Sequence, residues 1–471
     1  MQKISIQILL CSCLLLAACT LAPDYERPAL DLPTTEQVQP NEVVDISDFV
    51  NPEWWKMFDD PVLNVLITQT LDYNKDLKQA LARVTEARAL ARVAFSALLP
   101  SLGVKGTYDK NHPSEHTLSV SPEKTFSDYL LLGGASYELD LWGKYRDLDT
   151  VAWAEYLATE AAYNSVRLML IVNTVKTYFT LRTLDTKLEV AKKTWASRQK
   201  SYQIYEIQYR NGYVSELDFK RIAAEMYSVE SQVYELENQL AQTQTALFVL
   251  VGKTPRQIAS EVLERGKPIE EMAITTLVPD KLPSEVLTMR PDIFQAEQLL
   301  IAANARIGVA RAAFFPSISL TAGLGNESLH LSNLFEGGSK VWNWSGGVSL
   351  PIFQGGSLVA RLKYSKAYKE EMLAKYEKTV QAAFKDILDA LTTNRLARKS
   401  LASRLEQTTA LRRSVELANI QKTAGLIGIL DVLDVERGLL QVEMDLATAY
   451  LNQLFAVVGV CEALGGGWKE L

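Results

Sequence analysis

The chain is written twice, and this constrains its fold more than any other feature. Ala94-Phe95-Ser96-Ala97-Leu98-Leu99-Pro100-Ser101-Leu102 returns 216 residues on as Ala310-Arg311-Ala312-Ala313-Phe314-Phe315-Pro316-Ser317-Ile318. Asn74-Lys75-Asp76-Leu77 returns at the same shift as Arg290-Pro291-Asp292-Ile293. Leu139-Asp140-Leu141-Trp142 reappears 211 residues on as Leu350-Pro351-Ile352-Phe353. Asn211-Gly212 with Leu217-Asp218, and then Leu250-Val251-Gly252, recur at a shift of 213 as Ala424-Gly425 with Leu430-Asp431, and Ala463-Leu464-Gly465. Anchors held in one order at nearly one spacing mark two copies of one structural unit.

Both copies read alike. Each opens with a helix, at 61–98 and 284–314, which Pro100 and Pro316 end because proline cannot continue it. Arg290-Pro291-Asp292 reads as a helix start: Pro291 suits the first turn and Asp292 favours the positive end of the helix dipole. Stretches rich in Gly, Ser and aromatics follow, at 102–108 and 137–141 in the first copy and at 317–325 and 344–352 in the second. Their alternation and length suit the roughly 9–11 residues of a tilted membrane strand. Trp142, Trp342, Trp344, Tyr108 and Tyr129 stand near the ends, where membrane interfaces gather aromatics. Two soluble hairpins are the competing reading.

Very long helices come next, at 144–210 and 214–250, then at 357–422 and 427–462. Ile222, Met226, Val229, Val233, Leu236, Leu240, Thr243, Leu247 and Leu250 alternate steps of four and three. So do Leu430, Leu433, Arg437, Leu440, Met444, Ala447, Leu451, Leu454 and Val458, broken in character only at Arg437. This repeat specifies left-handed coiled coil. The first long helix carries two seams, Leu168-Val172-Val175-Phe179 and Leu181-Leu184-Leu188-Ala191-Trp195, so it can pack on two neighbours, as a closed ring of helices requires. At ~1.5 Å per residue such a helix reaches roughly 100 Å. Gly212 and Gly425 then permit tight reversals.

The N-terminus reads as an export signal. Lys3 precedes an apolar run, Ile4 to Ala18, too short for a lasting bilayer span, which ends Leu16-Ala17-Ala18-Cys19. Small residues before a cysteine form a lipobox, so residues 1–18 are expected to be removed and Cys19 to be lipidated; Thr20 rather than Asp follows, which in the lipoproteins it resembles implies the outer membrane. Cys11 and Cys13 leave with the signal, and Cys461, three residues beyond the last coiled-coil seam, is expected to be a buried apolar residue. No later stretch has 18 consecutive apolar residues, so membrane insertion would use the lipid or a β-barrel. Net charge is −7, without the basic stripe of a nucleic-acid binder.

No catalytic or cofactor motif stands out. Of three histidines, His112 and His116 bracket Pro113-Ser114-Glu115 in a loop and His330 lies in the matching loop of the second copy; no metal site, cofactor or enzyme activity is expected. The resulting organisation is a signal at 1–18, a lipidated extended segment at 19–60, a first repeat at 61–283, a second at 284–464 and a tail at 465–471. In the first repeat the β-hairpin covers about 101–142 and the helical hairpin about 144–252, with a linker after it; in the second they cover about 317–353 and 357–462. The expected class is a mixed α/β membrane protein, mostly long coiled-coil helices forming an α-barrel. Four strands per chain cannot close a β-barrel, for which about eight is the usual minimum, so several chains must share one.

These residues resemble the TolC-type outer-membrane efflux proteins, in their lipoprotein, OprM-like branch. The likeness spans essentially the whole mature chain. It rests on Trp54-Trp55 with Phe58 and Asp60-Pro61-Val62-Leu63, on Asn74 with Asp76-Leu77, on Leu139 to Lys144, on Arg290 to Ile293, on Leu350 to Phe353 with Gly355-Gly356, and on Ala463 to Trp468. The resemblance implies a homotrimer whose chains share a twelve-strand β-barrel and a helical tunnel. It also implies outer-membrane lipid, a periplasmic membrane-fusion adaptor and an inner-membrane transporter, commonly proton-driven and of the RND type, as partners. Drugs, detergents or other toxic small molecules would pass through it; export of proteins or of metal ions is the alternative on this fold, and a coiled-coil lipoprotein spacer is another. The reversals at Gly212, Tyr213 and Val214 and at Gly425, Leu426 and Ile427 are expected to be adaptor-docking tips. Leu430, Asp431 and Asp434 lie within one turn beyond the second reversal. Related lipoprotein channels constrict there with a leucine ring and an aspartate ring, which counting from Gly425 places at Leu430 and Asp434.

Overall fold

A computed structural model of the chain describes residues 20–29, 49, 51–114, 125–272 and 290–468. Its elements, in order, are α1 (Pro61–Tyr73), α2 (Lys75–Ser96), β1 (Ser101–Asn111), β2 (Phe126–Leu139), α3 (Lys144–Arg210), α4 (Glu216–Leu250), the short α5 (Pro255–Ser260), α6 (Pro291–Ala312), β3 (Ser317–Ser328), β4 (Lys340–Ser349), α7 (Ser357–Thr423) and α8 (Ile429–Ala463). The duplication is metrically close: α3 and α7 both have 67 residues, α4 and α8 both 35.

One expectation is corrected. The helix read as continuous from 61 to 98 is interrupted at Asn74, where ψ turns to 135°. The Asn74 side chain accepts from the backbone N–H groups of Asp76 and Leu77, at 2.8 and 3.1 Å, and so caps α2. Its amide also donates to Leu250 O at 2.8 Å, tying this corner to the end of α4. An asparagine before a helical turn satisfies N–H groups that would otherwise be orphaned, so a break here costs little. In the second copy the described helix begins at this point of the repeat, at Pro291, and residues 284–289 of the expected 284–314 helix lie outside the described residues.

The chain divides into two compact units. The first draws on segments of Met1–Ala29, Val84–Thr159 and Ala296–Tyr376. It contains one antiparallel sheet in the order β1-β2-β3-β4, with the repeats joined by the β2–β3 pairing. Register places Leu102 opposite Ala135, Ala135 opposite Ala322 and Ala322 opposite Trp344. Val104, Gly133, Leu324 and Trp342 form the next such ladder. Because side chains alternate along a strand, all of these share one face. On the other face several β3–β4 pairs are polar or small, Ser319 with Gly347, Thr321 with Ser345 and Gly323 with Asn343, while Leu130 and Leu132 of β2 stand beside Thr107 and Lys105. The apolar face is open, with Leu102 82%, Val104 78%, Trp342 72% and Trp344 75% exposed. Among the described residues β1 and β4 each have one strand neighbour. An apolar surface of this extent and two unpaired edges are untenable in water, but suit a segment of a wider barrel facing lipid. The two-soluble-hairpin reading fails on this geometry.

The second unit draws on Leu30–Arg83, Glu160–Gln295 and Glu377–Leu471. Its core joins three helices: Leu184 and Ala191 of α3, Val229, Val233 and Leu236 of α4, and Leu440 and Met444 of α8. The second α3 seam therefore serves two partners. In the first seam Phe179 meets Phe58, ring centroids 4.8 Å apart, and beside that seam Thr174 on α3 meets Thr70 on α1 at 3.2 Å. Asp60 is buried here, accepting from Val62 N, Leu63 N, Tyr178 Oη and Lys267 N. Arg290, also buried, forks onto Asp292 at 3.1 and 2.8 Å and donates to Ala463 O at 2.9 Å, clamping the end of α8 to the start of α6.

Candidate gate and docking tips

The two helical reversals share one backbone design. After α3, Gly212 takes φ +77°, its N–H donates to Tyr209 O, and Tyr213 N–H reaches back to Gln208 O at 2.8 Å. After α7, Gly425 takes φ +73°, its N–H donates to Lys422 O, and Leu426 N–H reaches Gln421 O at 2.9 Å. This is the left-handed glycine cap that satisfies the last carbonyls of a helix and turns the chain sharply. Apolar side chains are left outside: Tyr213 is 82% and Leu426 74% exposed, while Val214 and Ile427 are half-buried.

Below the turns the copies differ. The first is braced by aromatics, since Phe219 stacks on Tyr209 at 5.0 Å and lies against Tyr202 at 5.4 Å. The residues at the repeat-equivalent positions are Val432, Lys422 and Val415, so the second turn has no such stack. Ser215 caps α4 through its hydroxyl, which accepts from Asp218 N at 3.1 Å. In the second copy that residue is Gly428, and the reverse bond alone remains, Gly428 N–H donating to the Asp431 carboxylate at 3.0 Å. Asp431 is thus engaged in the turn itself. Leu430 is half-buried and Asp434 exposed, with Asp434 Oδ1 3.5 Å from Arg437.

A charged layer lies between the tips and the hydrophobic coil. Arg198 of α3 is 2% exposed; it lies 2.9 Å from Glu436 of α8 and donates to Leu433 O at 3.2 Å. Burial pulls its guanidinium below the usual arginine range, and Glu436 and Glu225 oppose that shift. Arg437 reaches Glu225 of α4 at 3.1 Å. The heptad break at Arg437 therefore has a partner across the coil. Arg198 was missed in the sequence, although a signal was present: it continues the seam Leu188-Ala191-Trp195 by a further three residues.

Pro291 opens α6 with Asp292 in its first turn, and Pro100 and Pro316 stand immediately before β1 and β3. His112 Nδ1 lies 2.8 Å from Thr125 Oγ1 at the β1–β2 hairpin, and His330 is in the β3–β4 connection. Cys19 and His116 lie outside the described residues.

A four-stranded sheet with one apolar face and open edges, continued by paired long helices, defines the subunit of a barrel-forming outer-membrane channel. The comparisons agree. The family model described as outer membrane efflux protein matches residues 66–253 and again 282–466, one stretch in each copy. The chain is 32% identical over 462 residues to the cation efflux system protein CusC of Escherichia coli O6:H1, covering 98% of both chains. It is 34% identical over 463 residues to the toluene efflux pump outer membrane protein TtgC of Pseudomonas putida, covering 97% of this chain and 94% of that one. The crystal structure of the Campylobacter jejuni CmeC outer membrane channel superposes with a TM-score of 0.88 at 28% identity, over 96% of each chain. The chain belongs to the outer membrane efflux protein family and functions as an outer-membrane efflux channel.

Proposed function

We propose that the protein is the passive exit duct of a tripartite efflux pump. It would act as a homotrimer, lipid-anchored through Cys19, receiving small toxic molecules from a periplasmic adaptor and an inner-membrane transporter of the RND type. The observation that carries this reading is the open sheet: four strands, apolar on one face and, among the described residues, unpaired at both edges, require further copies to close a barrel. The cargo is read as drugs, solvents or detergents, since a duct accepts what the transporter delivers. Metal-ion export is a second reading, favoured by the 32% identity to a cation efflux protein; protein export has no observation in its favour.

The adaptor is proposed to dock on Gly212, Tyr213 and Val214 and on Gly425, Leu426 and Ile427, whose exposed Tyr213 and Leu426 side chains offer apolar anchors on rigid turns. The resting gate is assigned to Leu430 and Asp434. Asp431 supports it indirectly, by holding the turn through Gly428. The absence of an aromatic brace below the second turn supports placing the movable constriction there rather than in the first copy. Gathered carboxylates repel one another, so a closed aspartate ring would be stabilised only narrowly and would yield to an adaptor that spreads the helices.

The test is electrical. Leu430→Ala combined with Asp434→Ala should raise single-channel conductance in planar bilayers well above that of the parent trimer; an unchanged trace from assembled trimers removes these residues from the gate. Tyr213→Glu with Leu426→Glu should abolish drug resistance in cells while leaving the trimer in the membrane, and full resistance would rule out docking at the tips.

A further inference from the structure

A glycine inside α6, four residues before the helix ends, is out of place by local rules, since it costs about 1 kcal/mol relative to alanine in a helix interior. Its surroundings give the reason. A Cβ on Gly308 would collide with the Asp147 carboxylate and lie 2.7 Å from Ala22 N and 2.8 Å from Ala22 Cβ. Ala22 belongs to the segment Thr20–Ala29, which is laid against α6. Arg311 donates to Leu21 O at 2.8 Å, Asn304 donates to Pro23 O at 2.6 Å, and Glu297 accepts from Tyr25 Oη at 3.2 Å and pairs with Arg27. Steps of seven, four and three from Glu297 through Asn304 and Gly308 to Arg311 form a single stripe along the helix. The lengths agree as well. Six steps of extended chain, Leu21 to Arg27, cover about 20 Å, and fourteen helical steps, Arg311 to Glu297, about 21 Å.

The upstream end is held by a buried carboxylate. Thr20 Oγ1 donates to Asp147 Oδ1 at 2.5 Å, and Asp147 is 4% exposed. Asp147 lies in the first turn of α3, soon after β2 ends, and Arg311 lies just before β3 begins. At this same rim Trp142 stacks on Phe315 at 4.7 Å and donates to Pro316 O. Such aromatics at strand ends mark a membrane interface. Thr20 is the residue that follows Cys19.

We propose that the α6 stripe, together with Asp147, is a docking site for the chain's own N-terminal strap, and that it positions the lipid borne by Cys19 at the helical rim of the sheet. The anchor is then placed in register with the strands and not merely tethered by a length of chain. This rests on the reading of Cys19 as lipidated. Asp147 and Gly308 are positioning residues: the first binds the strap, and the second leaves room for it.

Two measurements on the full-length lipoprotein test this. Chymotrypsin should cut slowly after Tyr25 in the parent trimer. Cleavage should be about tenfold faster or more in Asp147→Ala and in Gly308→Leu, as expected when a charge-assisted hydrogen bond restraining local opening is lost; heat-resistant trimers serve as the check on folding. Equal cleavage in Asp147→Ala and parent overturns the docking site. For position, cells are fed a diazirine fatty acid, and photo-crosslinks from the Cys19 acyl chain are mapped. The parent should crosslink to peptides containing Trp142 or Phe315. Six residues of Gly and Ser inserted between Cys19 and Thr20 should scatter the crosslinks, and the same insertion between Arg27 and Pro28 should leave them in place. A simple tether predicts the same outcome for both insertions, and that result overturns the positioning role. If mass spectrometry finds no acyl group on Cys19, the anchor reading fails, whereas protection of Tyr25 still reports on the strap.

Discussion

Gly212 and Gly252 offer a controlled comparison, because both take φ +77°. Both also close a helix with the same pair of backbone bonds: Gly252 N–H donates to Val249 O, and Lys253 N–H to Phe248 O. Replacing either by alanine forces a left-handed conformation on a residue with a Cβ, at about 1–2 kcal/mol. Their surroundings then separate them. A Cβ on Gly212 meets nothing within 4 Å. One on Gly252 would lie 2.5 Å from Tyr73 O, 2.6 Å from Tyr73 C and 3.0 Å from Asn74 N. These are backbone atoms at the α1–α2 corner and cannot swing aside, so overpacking adds about 1–3 kcal/mol. The shift would also strain the 2.8 Å bond from Asn74 to Leu250 O. Gly212→Ala should therefore be mild, and Gly252→Ala should cost about 2–5 kcal/mol in all. Heating the purified trimers while following the helical circular-dichroism signal gives the comparison, at about 2–4 °C per kcal/mol for a unit of 150–250 residues. Equal melting temperatures, or Gly212→Ala melting lower, would refute the steric argument.

Two further outcomes follow from buried groups. Arg290→Ala should destabilise the fold by about 2–4 kcal/mol, since it removes charged hydrogen bonds to Asp292 and Ala463 O but leaves Asp292 and Asp386 free to rehydrate; thermal melting of the trimer measures it, and a loss below about 1 kcal/mol would show that the clamp is dispensable. The Cys461 thiol is fully buried and its pKa is pushed up by burial, so a maleimide should leave it unlabelled in the native trimer and modify it only after unfolding; rapid native labelling would contradict the packing of α8.

Much of this protein is legible from local patterns. The shift of 213 residues between Gly212 and Gly425 announces two reversals with one geometry, because a left-handed cap needs glycine wherever it occurs. Steps of three and four announce α4 and α8, because they keep one stripe of side chains on one side of a helix. Alternation within β1 and β4 announces strands with unlike faces. The break at Asn74 was readable in principle, since asparagine two residues before an aspartate is a capping signal, but a long run of helix-favouring residues on either side concealed it.

By itself, then, the sequence determined the periodic elements, their duplication and their turns, since each depends on residues within a few positions of one another. Only the tertiary structure decided which residues those elements bring together. Arg198 reads as a seam residue, but its burial against Leu433 O and Glu436 depends on a helix more than 230 positions away. The strap Thr20–Ala29 has no periodicity, and its partners on α6 lie 270 to 290 positions further on. Gly308 looks like a flaw in a helix until Asp147 and Ala22 are seen to occupy the space a side chain would need. Periodicity is a property of the local backbone, whereas a close approach between distant segments depends on the shape of both, which neither segment encodes alone.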